Sequence, residues 1–305
     1  MTRFIGPLLI LLCTVIWGAA FLAQKLGADH YGPFAITCYR NILGGLFLWL
    51  CIALRNRYLP AARTPWTRTA VVGGSVSGVC LFAAMMAQQL GIERTTPGIS
   101  AFLTANYVLL VPVFAWVVGK GRPGMTIWFG VALALLGTCF ICFTDFSSQL
   151  SGFKLGAGEA WTLLCAALFA VQIMAVDRFA RNVDVVMFSM VQLFVAAACA
   201  LPFVFLPSEL ARASWSGFAA GLPSLFFLGV LSSGIAYTLQ NLGQAKTPPA
   251  LAAIIMSMES VFGALFGWLV LHDVLSPRQL LGCAFVFLAV VVSQAAPFFR
   301  RRPSA

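Results

Sequence analysis

Long, nearly uninterrupted apolar segments divide the chain, and short polar stretches separate them. An α-helix needs about 20 apolar residues to cross the hydrocarbon core of a membrane, and ten segments have roughly this length. Strands of a membrane barrel would be shorter and would alternate apolar with polar positions. The pattern predicts an all-α membrane protein with ten transmembrane helices, at approximately 4–24, 34–54, 70–90, 97–118, 125–144, 157–176, 184–206, 217–241, 249–271 and 278–297.

Proline residues mark where several of these segments begin, namely Pro33, Pro97, Pro249 and Pro277. A proline at the first helical position costs no hydrogen bond, because the N–H that it lacks would be unpaired there. The first segment is too long for the apolar region of a signal peptide, and only Arg3 precedes it as a positive charge. We therefore expect a retained helix and not a cleaved leader.

The composition indicates that lipid, and not water, surrounds most of this chain. Of its 305 residues, 61% are hydrophobic and only 9% are charged, against about 25% charged residues in an ordinary soluble domain. The formal net charge of +10 does not indicate nucleic-acid binding, because the basic residues lie in short gaps between apolar runs and not on one face. The nine cysteines do not follow the spacing pattern of metal-binding sites, and we interpret them as small buried side chains.

The distribution of lysine and arginine predicts the orientation. If the N-terminus lies inside, thirteen Lys and Arg residues fall in inner segments and five in outer segments. Cytoplasmic loops carry the excess of positive charge in membrane proteins. We expect a multi-pass protein of the cell (inner) membrane with both termini in the cytoplasm.

The chain repeats itself at an offset of 152 residues. Gln88 to Gly91 aligns with Gln240 to Gly243, and Phe114 and Trp116 align with residues 266 and 268. Twelve of the fifty positions from Gln88 to Gly137 are identical to their partners, in a register without gaps. We therefore predict two five-helix repeats, at 1–148 and 153–299.

The number of helices in each repeat determines their relative orientation. Because five is odd, the second copy enters the membrane upside down relative to the first. Two inverted copies related by an axis in the membrane plane are the architecture of many secondary transporters, which open a site at their interface to either side in turn. A duplicated scaffold without a transport role is the alternative.

Several motifs resemble the EamA-type members of the drug/metabolite transporter superfamily. Trp17 to Phe21 resembles the WG-x-x-F motif in the first helix of that family, and Pro33 with Tyr39-Arg40 resembles its P…R element. The stretches 97–116 and 249–273 resemble its fourth and ninth helices, although His272-Asp273 stands where the family usually has a Glu-containing turn. The resemblance implies a ten-helix carrier of small metabolites, often an exporter, and leaves the metabolite open.

Glu259 is the sharpest candidate for function because it lies near the middle of segment 249–271. A carboxylate at that depth costs about 2.5–3.5 kcal/mol on insertion scales, and such residues usually face a cavity or a partner. Desolvation favours the neutral form, which suits proton exchange. Glu259 could therefore couple transport to protons, neutralise a cationic substrate, or only hold helices together.

Other polar or aromatic side chains occupy similar depths. Tyr107 is the repeat counterpart of Glu259, and Arg40 lies about two turns inside its segment, where it could bind an anion, pair with an acid or extend its side chain outward. Glutamines near segment ends could line the openings. The expected substrate site comprises Trp17, Gln88, Thr104, Tyr107, Gln172, Tyr237, Gln240, Met256 and Glu259, with Glu259 and Arg40 as coupling or counter-charge residues.

The sequence thus favours a secondary transporter that exports small metabolites such as amino acids by alternating access, with proton coupling as a further expectation. Its partners would be a small-molecule substrate and the lipid bilayer, with no cofactor, no metal and no nucleic acid. A channel-like facilitator or uniporter of the same fold is the alternative. An intramembrane enzyme is disfavoured because the only histidines, His30 and His272, lie in predicted loops. The sequence leaves the oligomeric state open.

Overall fold

A computed structural model describes residues 2–59, 66–118, 124–142, 155–180, 183–244 and 249–299. Within these ranges the chain is helical and contains no β-strand. The helices of the first half are α1 (Thr2–Ala28), α2 (Pro33–Tyr58), α3 (Arg68–Ile92), α4 (Pro97–Thr104), α5 (Tyr107–Val117) and α6 (Met125–Cys142). Those of the second half are α7 (Ala157–Phe179), α8 (Val185–Ala200), α9 (Pro207–Leu210), α10 (Trp215–Phe226), α11 (Tyr237–Gln244), α12 (Pro249–Leu271) and α13 (Pro277–Phe299).

Many of these helices can span a membrane. Among the described residues, six stretches are long and apolar enough, and four shorter apolar helices fall on the other predicted segments. Large apolar side chains such as Leu8, Trp49 and Leu135 are more than half exposed on the outside of the bundle, as expected for a surface that lipid covers. The prediction of an all-helical membrane protein is confirmed, and ten crossings in two inverted repeats stay a prediction.

Helix starts follow the sequence signals. Prolines open α2, α4, α12 and α13. The hydroxyl of Thr96 caps α4 by accepting a hydrogen bond from Ile99 N at 3.3 Å. At α13, Ser276 N donates to Gln279 Oε1 and Gln279 N donates to Ser276 Oγ, a reciprocal cap that satisfies two free amides.

Three predicted segments are less regular than their hydropathy suggests. Segment 97–118 breaks at residues 105–106 between α4 and α5, where Asn106 Nδ2 donates to Leu103 O and so competes with the helical pattern. Segment 184–206 ends as a 3₁₀ turn at Leu201–Phe205. Segment 217–241 contains a π-helical stretch at Phe227–Ala236 between α10 and α11, and π-helical turns are frequent at functional sites.

The two halves of the chain pack through each other. α1 packs along α12 and against α11 and the π-helical stretch, whereas α3 packs along α7 and α8. α2 packs on α8, α4 on α12, and α6 on α13. Each of these pairs joins a helix before residue 150 to one after it, so the interior lies between the halves.

Glycines allow the closest helix crossings. A Cβ at Gly78 on α3 would lie 2.7 Å from Gln192 O and 2.8 Å from Val195 Cβ on α8. A Cβ at Gly91 would lie 3.1 Å from Gly158 O, and one at Gly243 would lie 3.0 Å from Gly6 O. These last two contacts are equivalent in the repeat, because Gly91 corresponds to Gly243 and Gly158 corresponds to Gly6 at the offset of 152 residues. The first joins α3 to α7, and the second joins α11 to α1.

A group of polar contacts, here the Lys25 cluster, joins the halves at the end of the bundle that the Lys/Arg bias predicts to face outward. Lys25 Nζ donates to the oxygens of Ile92, Glu93 and Thr95 at 2.9–3.2 Å, which satisfies carbonyls at the end of α3. Glu93 pairs with Arg212 at 3.5 Å. The cluster consists of Lys25, Ile92, Glu93, Thr95 and Arg212, together with Glu159, which accepts a hydrogen bond from Thr95 Oγ1.

Carboxylates cap α2 and α8 at opposite ends of the bundle. Glu209 Oε2 accepts a hydrogen bond from Ala35 N at 2.9 Å, near the start of α2. Asp184 Oδ1 accepts one from Met187 N at 2.9 Å at the start of α8, and its Oδ2 pairs with Arg55 of α2 at 2.9 Å. Ala35 and Met187 are 152 residues apart, so equivalent amides are capped in both halves.

The Gly78 crossing gives a prediction about stability. We expect Gly78→Val to lower the free energy of unfolding by about 1–3 kcal/mol, because the added carbons meet backbone that cannot move aside. Val79→Leu is the matched control, since Val79 is 52% exposed on the outside of the same helix. Thermal denaturation in detergent measures both, and equal melting temperatures for the two variants would contradict the close crossing.

The Lys25 cluster gives a prediction about pH. Burial raises the pKa of the Glu93 carboxyl above its ordinary value and Glu209 adds to this, although Arg212, Arg94 and Lys25 oppose the rise. Because the folded protein then binds this proton more tightly than the unfolded chain, stability rises as the pH falls through the folded pKa. The melting temperature of the wild-type protein minus that of Glu93→Gln should therefore increase as the pH is lowered from about 8 to about 5. A relative melting temperature that is constant or decreases over this interval would contradict the assignment.

Candidate functional site

A cavity lies between the two halves of the chain, inside the region where α1 meets α12 and α3 meets α7. Side chains from α1, α2, α3, α4, α5, α7, α11, α12 and the π-helical stretch line it. The lining residues are Trp17, Ala20, Phe21, Gln24, Arg40, Met85, Gln88, Thr104, Tyr107, Phe169, Gln172, Ile173, Ser232, Tyr237, Gln240, Met256 and Glu259.

All ten residues that the sequence singled out lie on this cavity wall. These residues are Trp17, Arg40, Gln88, Thr104, Tyr107, Gln172, Tyr237, Gln240, Met256 and Glu259. They come from eight helices, α1, α2, α3, α4, α5, α7, α11 and α12, which are distributed over most of the chain. The structure therefore brings them together in one place, and their roles stay predictions.

The wall has an internal symmetry that follows the repeat. Fourteen of the seventeen lining residues form seven pairs whose members differ by 152 positions. The pairs are Trp17 with Phe169, Ala20 with Gln172, Phe21 with Ile173, Met85 with Tyr237, Gln88 with Gln240, Thr104 with Met256, and Tyr107 with Glu259. The two repeats thus contribute equivalent positions to one shared wall.

Glu259 is almost completely buried, with 4% of its surface exposed. The Tyr107 hydroxyl and the Glu259 carboxyl are close neighbours. Among the described residues, Glu259 Oε1, Tyr107 OH and the hydroxyl of Thr104 have no hydrogen-bond partner. Buried polar atoms are nearly always paired, so this group has unused capacity to bind a cationic or hydrogen-bonding ligand.

Arg40 forms a second polar region of the wall and is also 4% exposed. Its Nη2 donates to Ser232 Oγ at 3.0 Å, and its Nε donates to Ser233 Oγ at 3.3 Å. Both serines lie in the π-helical stretch. Within the described ranges Arg40 forms no ion pair, so neutral hydroxyls hold a guanidinium whose charge is not compensated.

Aromatic rings make up much of the remaining wall. Trp17 and Tyr237 meet edge to face with ring centroids 5.1 Å apart, and Trp17 Nε1 donates to Ser232 O at 3.1 Å. The rings of Tyr107 and Phe169 lie 6.3 Å apart. Such contacts fix the orientation of the rings and leave their faces and edges for an apolar part of a ligand.

Seven lining residues were not predicted as site residues, and the repeat could have revealed four of them. Adding or subtracting 152 from a predicted position gives Ala20, Met85 and Phe169 directly. The WG-x-x-F motif already contained Phe21, and its repeat counterpart is Ile173. Gln24 had been considered only as a residue near an opening. Ser232 carries no sequence signal of this kind, because its position depends on the π-helical turn.

Among the described residues, no group of three or more His, Cys, Asp or Glu side chains is close enough to hold a metal ion. Eight cysteines are free thiols, namely Cys13, Cys38, Cys51, Cys80, Cys139, Cys165, Cys199 and Cys283. His30 and His272 do not line the cavity. His272 follows α12 at a positive φ of 55°, at the point where the sequence departs from the EamA pattern.

Comparison with known proteins agrees with the fold and the repeat. An uncharacterized transporter of Archaeoglobus fulgidus is 29% identical over 290 residues, which cover 95% of this chain and 86% of the relative. The threonine/homoserine exporter RhtA of Escherichia coli K12 is 28% identical over 289 residues, covering 93% and 89%. One solved crystal structure aligns over 97% of this chain and 99% of its own, with a TM-score of 0.65 and 20% identity, which supports the fold alone.

A family model gives the decisive match. The model of the EamA-like transporter family matches twice, over residues 4–143 and 156–294. Together the two matches span nearly the whole chain, and the relatives are named as transporters and not as enzymes. The chain therefore belongs to the EamA-like transporter family, as its motifs predicted.

Proposed function

We propose that this protein is a secondary transporter that exports a small metabolite, such as an amino acid, by alternating access of the central cavity. The observation that carries the proposal is the cavity wall itself. Equivalent positions of two repeats surround a space in which one oxygen of a buried carboxylate and two hydroxyls have no hydrogen bond within 3.5 Å among the described residues. Such a space can bind a solute from either side if the halves move.

The proposed architecture is two inverted five-helix repeats, residues 1–148 and 153–299, which together cross the membrane ten times. Two family matches, the seven lining pairs and the equivalent Gly91 and Gly243 contacts support it. Related halves of this kind can rock about a central site. In the opposite state the Lys25 cluster would open and contacts at the other end would close.

The substrate class and direction are proposed from the family and from the wall. The chain is similar to a threonine/homoserine exporter, RhtA, over 93% of its length. Polar side chains at two places, with aromatic and methionine side chains between them, suit a small amphipathic metabolite. We propose outward transport across the cell (inner) membrane, with both termini in the cytoplasm.

Proton coupling would operate through competition for Glu259. The carboxylate can hold a proton or neutralise a cationic substrate group, and the two exclude each other. The titratable groups that interact with Glu259 are Tyr107, Tyr237, Cys13 and Cys165, all of which are neutral when protonated. No described basic side chain pairs with Glu259, so substrate release would favour proton uptake.

A channel-like facilitator of the same fold is the second candidate. The closely packed Lys25 cluster argues against a continuously open pore, because its contacts join both halves at one end. Counterflow distinguishes the two, since only a carrier exchanges labelled for unlabelled substrate against a gradient.

The coupling role predicts the behaviour of Glu259→Gln in proteoliposomes. Candidate substrates come from a thermal-shift screen of amino acids, amines and nucleosides, because ligands of the folded state raise its apparent stability. We expect transport driven by a proton gradient to fall by at least about tenfold in the variant, since an amide cannot exchange a proton in this range. Counterflow, which needs no net proton movement, should be reduced less.

Two control variants make the result interpretable. Glu259→Asp keeps a carboxylate and should keep gradient-driven transport, and Tyr107→Phe removes only the neighbouring hydroxyl. Normal transport by Glu259→Gln with an unchanged pH dependence would show that the coupling role is wrong.

A further inference from the structure

The charges of the cavity do not follow its symmetry. The repeat counterpart of Glu259 is the neutral Tyr107, and the counterpart of Arg40 is Gln192, which does not line the cavity. Gln24, Arg40 and Ser232 are the three lining residues without a lining partner. The cavity therefore has two different polar regions within an otherwise symmetric wall.

Each region suits a ligand group of one charge. The Glu259 region combines a carboxylate with the hydroxyls of Tyr107 and Thr104. Tyr107 lies beside the carboxylate, and Glu259 Oε1 and both hydroxyls have capacity for a further hydrogen bond to a ligand. The Arg40 region combines a guanidinium with Ser232, whose hydroxyl accepts from Arg40 and keeps its own proton for donation to a ligand. The first region suits an ammonium group and the second suits a carboxylate.

The two charges do not neutralise each other. Glu259 and Arg40 form no ion pair within the described part of the chain. The Tyr237 hydroxyl interacts with both groups, so Tyr237 lies near each of them. Leaving either charge buried and unpaired is costly, and a ligand that carries only one charge would leave the other uncompensated.

We infer that the cavity binds a small zwitterion, such as an α-amino acid, in one orientation. The carboxylate of the ligand contacts Arg40 and Ser232, and its ammonium contacts Glu259, Tyr107 and Thr104. Its side chain lies against the aromatic wall. This inference rests on the proposed function, because it assigns the ligand of the same cavity, and it explains why the charged positions differ between the repeats.

The test measures binding to the purified full-length protein, so that it does not depend on transport. The twenty proteinogenic amino acids are screened by thermal shift, and the affinity of the tightest ligand is measured by titration calorimetry. Two derivatives of that amino acid are then compared: its amino alcohol, which lacks the carboxylate, and its N-acetyl form, which lacks the ammonium. We expect each derivative to bind about tenfold or more weakly, because each leaves one buried charge unpaired.

Variants connect each ligand group to its residue. Arg40→Gln should weaken binding of the amino acid about tenfold or more while leaving the affinity for the amino alcohol unchanged. Glu259→Gln should also weaken binding of the amino acid about tenfold or more, and it should leave the affinity for the N-acetyl form unchanged. Retained binding of the matching derivative shows that each variant is folded. Gln192→Met is the control, since it changes the repeat counterpart of Arg40 outside the cavity and should preserve all three affinities.

Several results would overturn the inference. One is that none of the twenty amino acids binds, and another is that the amino alcohol or the N-acetyl form binds as tightly as the amino acid. A third is that Arg40→Gln weakens the amino acid and the amino alcohol equally. Counterflow of the bound ligand in liposomes separates the two proposals: binding without counterflow contradicts the transport function alone, and counterflow of amines or anions alone contradicts only the zwitterion site.

Discussion

An acid buried at membrane depth, with a tyrosine hydroxyl beside it and no basic partner among the described residues, is the physical constraint that shapes this site. Glu259 lies near the middle of α12, it is 4% exposed, and one of its carboxylate oxygens has no partner among the described residues. Placing an ionised carboxylate there is unfavourable, so a bound proton or a cationic group would stabilise this position.

Duplication explains how such a cavity is formed between helices that are far apart in sequence. Helices of the two halves pack against each other, and equivalent positions such as Trp17 and Phe169 line the same space. The same offset relates the backbone contacts of Gly91 and Gly243 and the capped amides of Ala35 and Met187. In the proposed mechanism, this symmetry would provide the two alternative arrangements of similar energy that alternating access requires. Arg40 and Glu259 differ in charge from their repeat counterparts, and in the proposed site this makes its two polar regions chemically different.

Much of the site could be predicted from sequence because lipid makes polar residues conspicuous. Glu259, Arg40 and Gln172 stood out as polar groups inside apolar segments, and the offset of 152 linked Tyr107 to Glu259. The helix break at residues 105–106 and the π-helical stretch at Phe227–Ala236 were not predicted. Hydropathy records which residues avoid water, whereas these irregularities depend on single hydrogen bonds, such as the one that the Asn106 side chain donates to Leu103 O. Ser232 was missed for the same reason, although it holds Arg40 in place.

The central claim is that substrate and proton compete for the Glu259 carboxyl, and proton release on binding measures this directly. Calorimetric titration of the purified protein in buffers with different ionisation enthalpies counts the protons that each bound ligand displaces. The account predicts that the wild-type protein releases a proton when substrate binds at a pH where Glu259 is protonated, and that Glu259→Gln releases none. Binding by the wild-type protein without proton release at any pH would contradict the account.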